Sequence, residues 1–181
     1  MFYKTFIMKT LYLPLIIVLM CMSSCKKDEI AKKHDDLNNS YRVWLNYKSS
    51  IHNSYSYTQN YGSVFGYNTE IKTAIKDGKF ISRDLTLTRY HPDNTNKKDT
   101  LKQWHEGASN LNTHGIEAGD LLTIDDIYDQ SRKVYLKTDV KKNMVIFEAN
   151  NNGILSSCGY IPNGCQDDCF NGINISSITP L

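Results

Sequence analysis

The chain has almost no excess of charge of either sign. Its 181 residues include 21 Lys and Arg and 19 Asp and Glu, which gives a formal net charge of +2 at pH 7. Two of the lysines, Lys4 and Lys9, lie within the first 24 residues, so residues 25–181 are formally neutral. A protein that binds nucleic acid needs a basic surplus to neutralise phosphates. We therefore expect no nucleic-acid partner.

The sequence also lacks the motifs that commonly hold cofactors or support catalysis. It contains no Gly-x-Gly-x-x-Gly, no Walker loop, no His-Glu-x-x-His and no Gly-x-Ser-x-Gly. The nearest approach to a catalytic cluster is Trp104-His105-Glu106 followed by His114. Without a nucleophile in a recognisable setting, this cluster indicates a surface loop more than a hydrolytic triad. We predict no catalytic residues and no cofactor.

Long apolar runs are absent as well, with one short exception near the N-terminus. Residues 8–20 carry a lysine followed by an apolar stretch that is too short to span about 30 Å of hydrocarbon as a permanent helix. Ser23 and Ser24 then precede Cys25. A basic start, a short apolar core and small residues at the end form a secretory signal peptide, which we assign to residues 1–24.

Cys25 after two small residues resembles the bacterial lipobox, in which a cysteine is acylated after cleavage just before it. Cys21 is a weaker candidate because the bulky Met20 precedes it. The sequence Cys25-Lys26-Lys27-Asp28 resembles the start of Bacteroidota outer-membrane lipoproteins. This resemblance implies a palmitate-bearing lipoprotein of the cell envelope, at the periplasmic face or the cell surface. We interpret residues 25–35 as a charged tether and residues 36–181 as one domain.

Three cysteines remain in that domain: Cys158, Cys165 and Cys169. An exported protein meets oxidising conditions, which favour a disulfide. Either Cys158 or Cys165 could pair with Cys169, and the odd count leaves one thiol over. Their spacing does not match a zinc ribbon, and the nearby Asp and Asn oxygens do not match the EF-hand spacing for calcium. We predict a structural disulfide and no metal, with a reactive thiol as the alternative.

The pattern of apolar residues predicts an α+β domain of order αβββαβββ, an antiparallel sheet packed by two helices. An amphipathic helix is expected over residues 36–48, with Trp44 facing the core. Alternation predicts strands near residues 54–58, 69–75 and 79–90, with a hairpin turn at Asp77-Gly78. Residues 91–99 and 103–119 are expected to form loops. A second helix should begin after an N-cap at Thr123, followed by strands over residues 143–147, 154–161 and 172–178.

This arrangement resembles a family of uncharacterised secreted and lipid-anchored bacterial domains. The similarity rests on Trp44, Tyr55-Ser56-Tyr57, the Asp77-Gly78 turn, residues 123–129 and residues 153–162. It implies a fold and a location, and it implies no catalytic residues.

We therefore expect a lipid-anchored envelope protein with a non-enzymatic binding or structural role. Its partners would be the membrane, through the lipid, and an envelope protein, glycan or peptide. The alternative is an enzyme or inhibitor with a site near Trp104–His114 or in the cysteine loop. Asp99-Thr100-Leu101 resembles an O-glycosylation site of exported Bacteroidota proteins, which makes Thr100 a candidate for modification.

Overall fold

The fold is known from a computed structural model that describes residues 28–91 and 94–181. The first helix, α1, covers residues 28–50. The remaining elements in chain order are β1 (Tyr55–Gly62), β2 (Tyr67–Lys76), β3 (Lys79–His91), β4 (Asn94–Gly107), α2 (Gly115–Ala118), α3 (Ile124–Lys133), a 3-10 turn (Tyr135–Lys137), β5 (Asn143–Glu148), β6 (Ser157–Pro162) and β7 (Asn171–Pro180). The signal peptide predicted for residues 1–24 and its cleavage site lie outside the described residues.

All seven strands join one antiparallel sheet in the order β4-β3-β2-β1-β7-β6-β5. The predicted α+β class with an antiparallel sheet is confirmed. The observed order differs from αβββαβββ because a fourth strand and the short α2 lie between β3 and α3. β1 and β7 pair with each other, so the first and last strands of the sequence meet inside the sheet.

Strand β4 replaces most of the loop that we expected over residues 91–99 and the beginning of the one expected over 103–119, whose remainder consists of turns and the short α2. It pairs with β3 over most of its length, from Ser82 opposite Gly107 to His91 opposite Asn94. As an edge strand it carries exposed Lys97, Lys98 and Lys102, and charged edge strands are a common protection against aggregation. These lysines give the strand a polar composition, and that composition is why the alternation pattern did not predict it.

Helix α1 begins earlier than predicted. The residues expected to form the end of the tether, 28–35, are helical, and Ile30 packs against the core. The predicted tether is therefore wrong from residue 28 onward. Trp44 is fully buried, as expected, and its ring meets Tyr55 edge-on with centroids 4.9 Å apart.

Helix α3 begins as predicted. Thr123 caps it, with the Thr123 hydroxyl accepting from Asp126 N while the Asp126 carboxylate accepts from Thr123 N. Ile124, Ile127 and Tyr128 are buried in the core cluster that also contains Leu37 and Trp44 of α1. The Tyr128 hydroxyl lies 2.6 Å from Ser40 Oγ of α1 and accepts a hydrogen bond from Leu155 N at 3.0 Å. The Tyr128 hydroxyl thus links α3, α1 and the segment before β6 inside the core.

The hairpin at Asp77-Gly78 is confirmed. Both residues have positive φ, 49° and 77°, as a type I′ turn requires. Of the helices within residues 28–91 and 94–181, none is long and apolar enough to cross a membrane.

Two glycines, Gly159 of β6 and Gly172 of β7, face each other where these strands pair. A Cβ on Gly159 would lie 2.5 Å from Asn171 O and 2.7 Å from Gly172 Cα. Gly159→Ala should therefore force the strands apart and lower the free energy of unfolding by about 1–3 kcal/mol. Urea denaturation measures this change. Gly62→Ala is the matched control, because a Cβ there meets nothing within 4 Å; equal effects of the two substitutions would contradict the close approach.

Candidate functional site

A row of residues crosses the sheet at the same level on its covered face. The register places Tyr57 of β1 opposite Thr73 of β2, Thr73 opposite Arg83 of β3, and Arg83 opposite Glu106 of β4. The side chains of Arg83 and Glu106 are 1% and 0% exposed. They form a two-pronged ion pair, with Arg83 Nε 3.1 Å from Glu106 Oε2 and Nη2 3.4 Å from Oε1.

Glu106 also organises the loop that follows β4. Its carboxylate accepts hydrogen bonds from Asn112 N at 2.9 Å, Thr113 Oγ1 at 3.2 Å and His114 N at 2.6 Å. Arg83 uses its remaining donors on Gly119 O at 2.9 Å and Asn112 Oδ1 at 3.3 Å. The buried pair therefore holds the segments on both sides of α2, residues 112–114 before it and Gly119 after it.

The surroundings of Glu106 favour its charged form. Burial by itself raises the pKa of a carboxyl group, but the hydrogen bonds from Arg83 and from the backbone of His114 and Asn112 outweigh it. Together they lower the pKa of Glu106 to about 2. The carboxylate is thus ionised throughout the physiological range.

Trp104 and His114 form a stacked pair above this ion pair. Their ring centroids are 4.4 Å apart with an angle of 14° between the planes. Trp104 Nε1 donates to Glu117 Oε2 at 2.9 Å, and Lys102 Nζ lies 2.6 Å from Glu117 Oε1. These contacts hold α2 on the sheet, where Ala118 covers a second apolar cluster with Ile71 and Leu85.

Three of the four residues singled out from the sequence meet here, and one does not. Trp104 and Glu106 face the same side as His114, whereas His105 lies on the opposite face of the sheet because adjacent strand residues alternate. His105 instead makes an exposed contact with Asp84, at 2.6 Å between Nδ1 and Oδ1. Arg83, the partner that keeps Glu106 charged, was not predicted to belong to the site. From the sequence alone, a charged residue in a strand is predicted to be exposed. Its burial can be predicted only when the residue paired with it on the neighbouring strand is known.

The geometry limits what this cluster can do chemically. Glu106 is a poor general base because its oxygens already accept from several donors and its pKa is far below neutral. His114 Nδ1 lies 3.1 Å from Glu106 Oε1, and its side chain is 37% exposed. Its Nε2 makes no hydrogen bond to any residue that the structure describes. The imidazole is therefore the member of this cluster with a ring nitrogen left to bind a polar group.

The structure of residues 158–169, the cysteine loop, shows which cysteines are paired. Cys165 and Cys169 form a disulfide, and Cys158 is a buried free thiol. Burial raises the pKa of the Cys158 thiol to about 11, so it is poorly suited to act as a nucleophile. The pairing of Cys158 with Cys169 is wrong, and the burial of Cys158 disfavours the reactive-thiol alternative.

The same loop contacts the turn between β1 and β2. Asp168 accepts from Ser63 Oγ at 2.7 Å and from Val64 N at 2.8 Å. These two hydrogen bonds lower the pKa of Asp168. They also occupy one of the carboxylates of the cysteine loop. Within residues 28–91 and 94–181, no group of three or more His, Cys, Asp or Glu could hold a metal ion.

The remaining predicted sites are on the surface or outside the described residues. Thr100 is exposed on the edge strand β4, opposite Thr88, and not in the loop that we expected. Its glycosylation stays a prediction. The proposed lipid-attachment residue, Cys25, lies outside the described residues.

Comparison with known proteins found no matching family model, no matching curated protein and no matching solved structure.

The Arg83–Glu106 pair allows a direct test of its role. Glu106→Gln keeps the side-chain shape but leaves the buried Arg83 without a counter-charge, so we expect a loss of about 3–5 kcal/mol of stability in urea denaturation. Asp84→Asn, which removes the carboxylate from the exposed contact with His105, is the control and should cost about 1 kcal/mol or less.

The pH dependence of the Glu106→Gln effect provides a second readout. The folded pKa of Glu106, about 2, lies below its ordinary value of 4.5. The stabilisation is therefore present above the unfolded pKa and lost as pH falls from about 4.5 to 2. The difference in stability between the natural chain and Glu106→Gln should shrink over that window. A difference independent of pH would contradict the ion pair.

Proposed function

We propose that the protein is a lipoprotein of the outer membrane, acylated at Cys25, whose α+β domain has a non-enzymatic binding role in the cell envelope. The partners would be the membrane itself, through the lipid, and an envelope protein, glycan or peptide. In this proposal α1 and α3 form a helical layer over the sheet, and α1 joins that layer to the lipid.

The observation that carries the proposal is how close Cys25 lies in the sequence to residues that already belong to the described fold. α1 is already helical at residue 28, and Ile30 packs against the core. Asp28 is three residues after Cys25, and a fully extended chain of that length spans at most about 11 Å. A lipid on Cys25 would therefore hold the domain directly against the bilayer.

The state of the acid–imidazole cluster supports binding over catalysis. Glu106 is committed to Arg83 and to the loop that it organises, so this carboxylate stabilises the fold. Residues that serve as general bases instead need a pKa near the working pH.

A second candidate is an envelope enzyme or inhibitor that acts through His114. It is favoured by one feature, the partly exposed imidazole held against a carboxylate through Nδ1. A cleft of about 370 Å³ lies nearby, lined by Tyr61, Thr69, Ile71, Glu117, Ala118 and Gly119. This candidate needs a nucleophile or polarising group, and the cleft lining includes no serine or cysteine.

The attachment site can be tested with two cysteine substitutions. Cys25→Ala should abolish incorporation of labelled fatty acid and move the protein out of the membrane fraction in the producing cells. Cys21→Ala is the matched control and should retain both the label and the membrane association. Label on the Cys25→Ala protein, or its loss from the Cys21→Ala protein, would contradict attachment at Cys25.

A further inference from the structure

The start of the domain and several loops lie at the same end of the sheet. Because neighbouring strands are antiparallel, β1, β3 and β6 finish where β2, β4, β5 and β7 start. The first turn of α1 reaches this end too, since Glu29 and Ile30 line one cleft with Asn143 of β5 and Asn163 of the β6–β7 loop. We call it the anchor end: the turn 63–66, residues 89–91 and 97–98, the loop 163–170 and the start of β5.

The anchor end carries several exposed apolar side chains. Val64 and Phe65, adjacent at the tip of the β1–β2 turn, are 64% and 71% exposed. Tyr67 of β2 and Tyr90 of β3 are exposed beside this turn, and Met144 is exposed at the start of the edge strand β5. Single apolar residues on a surface are ordinary, but a contiguous group is typical of an interaction site.

Two turns at the opposite end of the sheet are polar. They are Asp77-Gly78 and residues 150–153, which are three asparagines and a glycine. Leu181 is an exposed apolar residue at this end, beside the start of β1, where its backbone N–H donates to Ser54 O. These two turns therefore lack the pair of exposed apolar side chains that the β1–β2 turn carries.

The tip is held in place by hydrogen bonds on both sides. Asp168 of the disulfide loop accepts from Ser63 Oγ and Val64 N, and Tyr90 N donates to Gly66 O at 3.0 Å. A turn fixed in this way presents Val64 and Phe65 with little conformational entropy left to lose on binding.

The neighbouring tyrosines carry cations on their rings. Arg89 lies 5.0 Å from the centroid of Tyr67, and Lys98 lies 5.2 Å from that of Tyr90. Tyrosine favours the boundary between lipid and water, and long cationic side chains can keep their charge in water above an apolar layer. Asp167 and Asp168 also lie at the anchor end, so this end carries charges of both signs. A membrane contact there would not depend on anionic lipid.

We infer that the anchor end is a second membrane contact, in which Val64 and Phe65 enter the interfacial layer of the bilayer that carries the Cys25 lipid. This inference rests on the proposed function, because the short reach from Cys25 is what brings this end to the bilayer. The lipid surface is the one partner that covalent attachment would keep permanently within reach of the tip. The tip would fix the orientation of a domain that the lipid alone leaves free to tilt.

The test is a tryptophan placed at the tip of the full-length lipoprotein. Phe65→Trp protein is purified from membranes and reconstituted in vesicles of phosphatidylcholine brominated on its acyl chains, and in unbrominated vesicles. Leu181→Trp, an exposed apolar position at the opposite end, is the matched control. The emission of the natural chain, from Trp44 and Trp104, is subtracted, and the mass of each preparation establishes whether Cys25 is acylated.

The inference predicts that the Phe65→Trp variant loses most of its added emission in brominated vesicles, whereas the Leu181→Trp variant keeps it. Acylated protein with an unquenched Phe65→Trp variant would overturn the inference and leave the proposed function standing. Equal quenching of both variants would overturn it too, because the domain would then have no preferred end. A blue shift of the emission added by Phe65→Trp, without quenching, would place the tip against a second copy of the chain and also overturn it. Unacylated Cys25 would overturn both the proposed function and the inference.

Discussion

The buried ion pair between Arg83 and Glu106 is the interaction on which the β2–β4 half of the molecule depends. Burial of two charges is unfavourable unless each finds several partners, and here those partners are supplied by the loop after β4 and by Gly119 beyond α2. The loop must therefore be folded for the pair to be stable. Once in place, it brings α2 over Ile71 and Leu85, which would otherwise face solvent. The acid, imidazole and aromatic residues that resemble a catalytic cluster in the sequence are held together for this reason.

The other half of the molecule is stabilised mainly by apolar packing. Its core cluster joins Trp44 of α1 and Tyr128 of α3 to β1 and to the C-terminal strands. The pairing of β1 with β7 connects the two halves through one continuous sheet. Since α1 packs along this core, a lipid on Cys25, as proposed, would be connected directly to the most buried part of the domain.

Features determined by residues close together in the sequence were predicted correctly, and features determined by distant residues were not. The Asp77-Gly78 turn and the cap at Thr123 were predicted correctly, because the residues that determine them are neighbours in the chain. Trp44 was predicted to be buried because helical spacing alone placed it on the apolar face. Strand β4 was missed because an edge strand with several lysines has little apolar alternation. Arg83 was missed because its role depends on Glu106, 23 residues away and on another strand. The disulfide pairing similarly required the loop geometry, since the spacing of the cysteines allowed two solutions.

The central claim, attachment through a lipid on Cys25, is tested most directly by the intact mass of protein purified from its membrane without reductant, before and after thiol alkylation in denaturant. We expect a chain that begins at Cys25, carries acyl groups and takes up one alkyl group, on Cys158, because Cys165 and Cys169 are joined. A mass that retains residues 1–24, or a chain that begins at Cys25 without acyl groups, would contradict it.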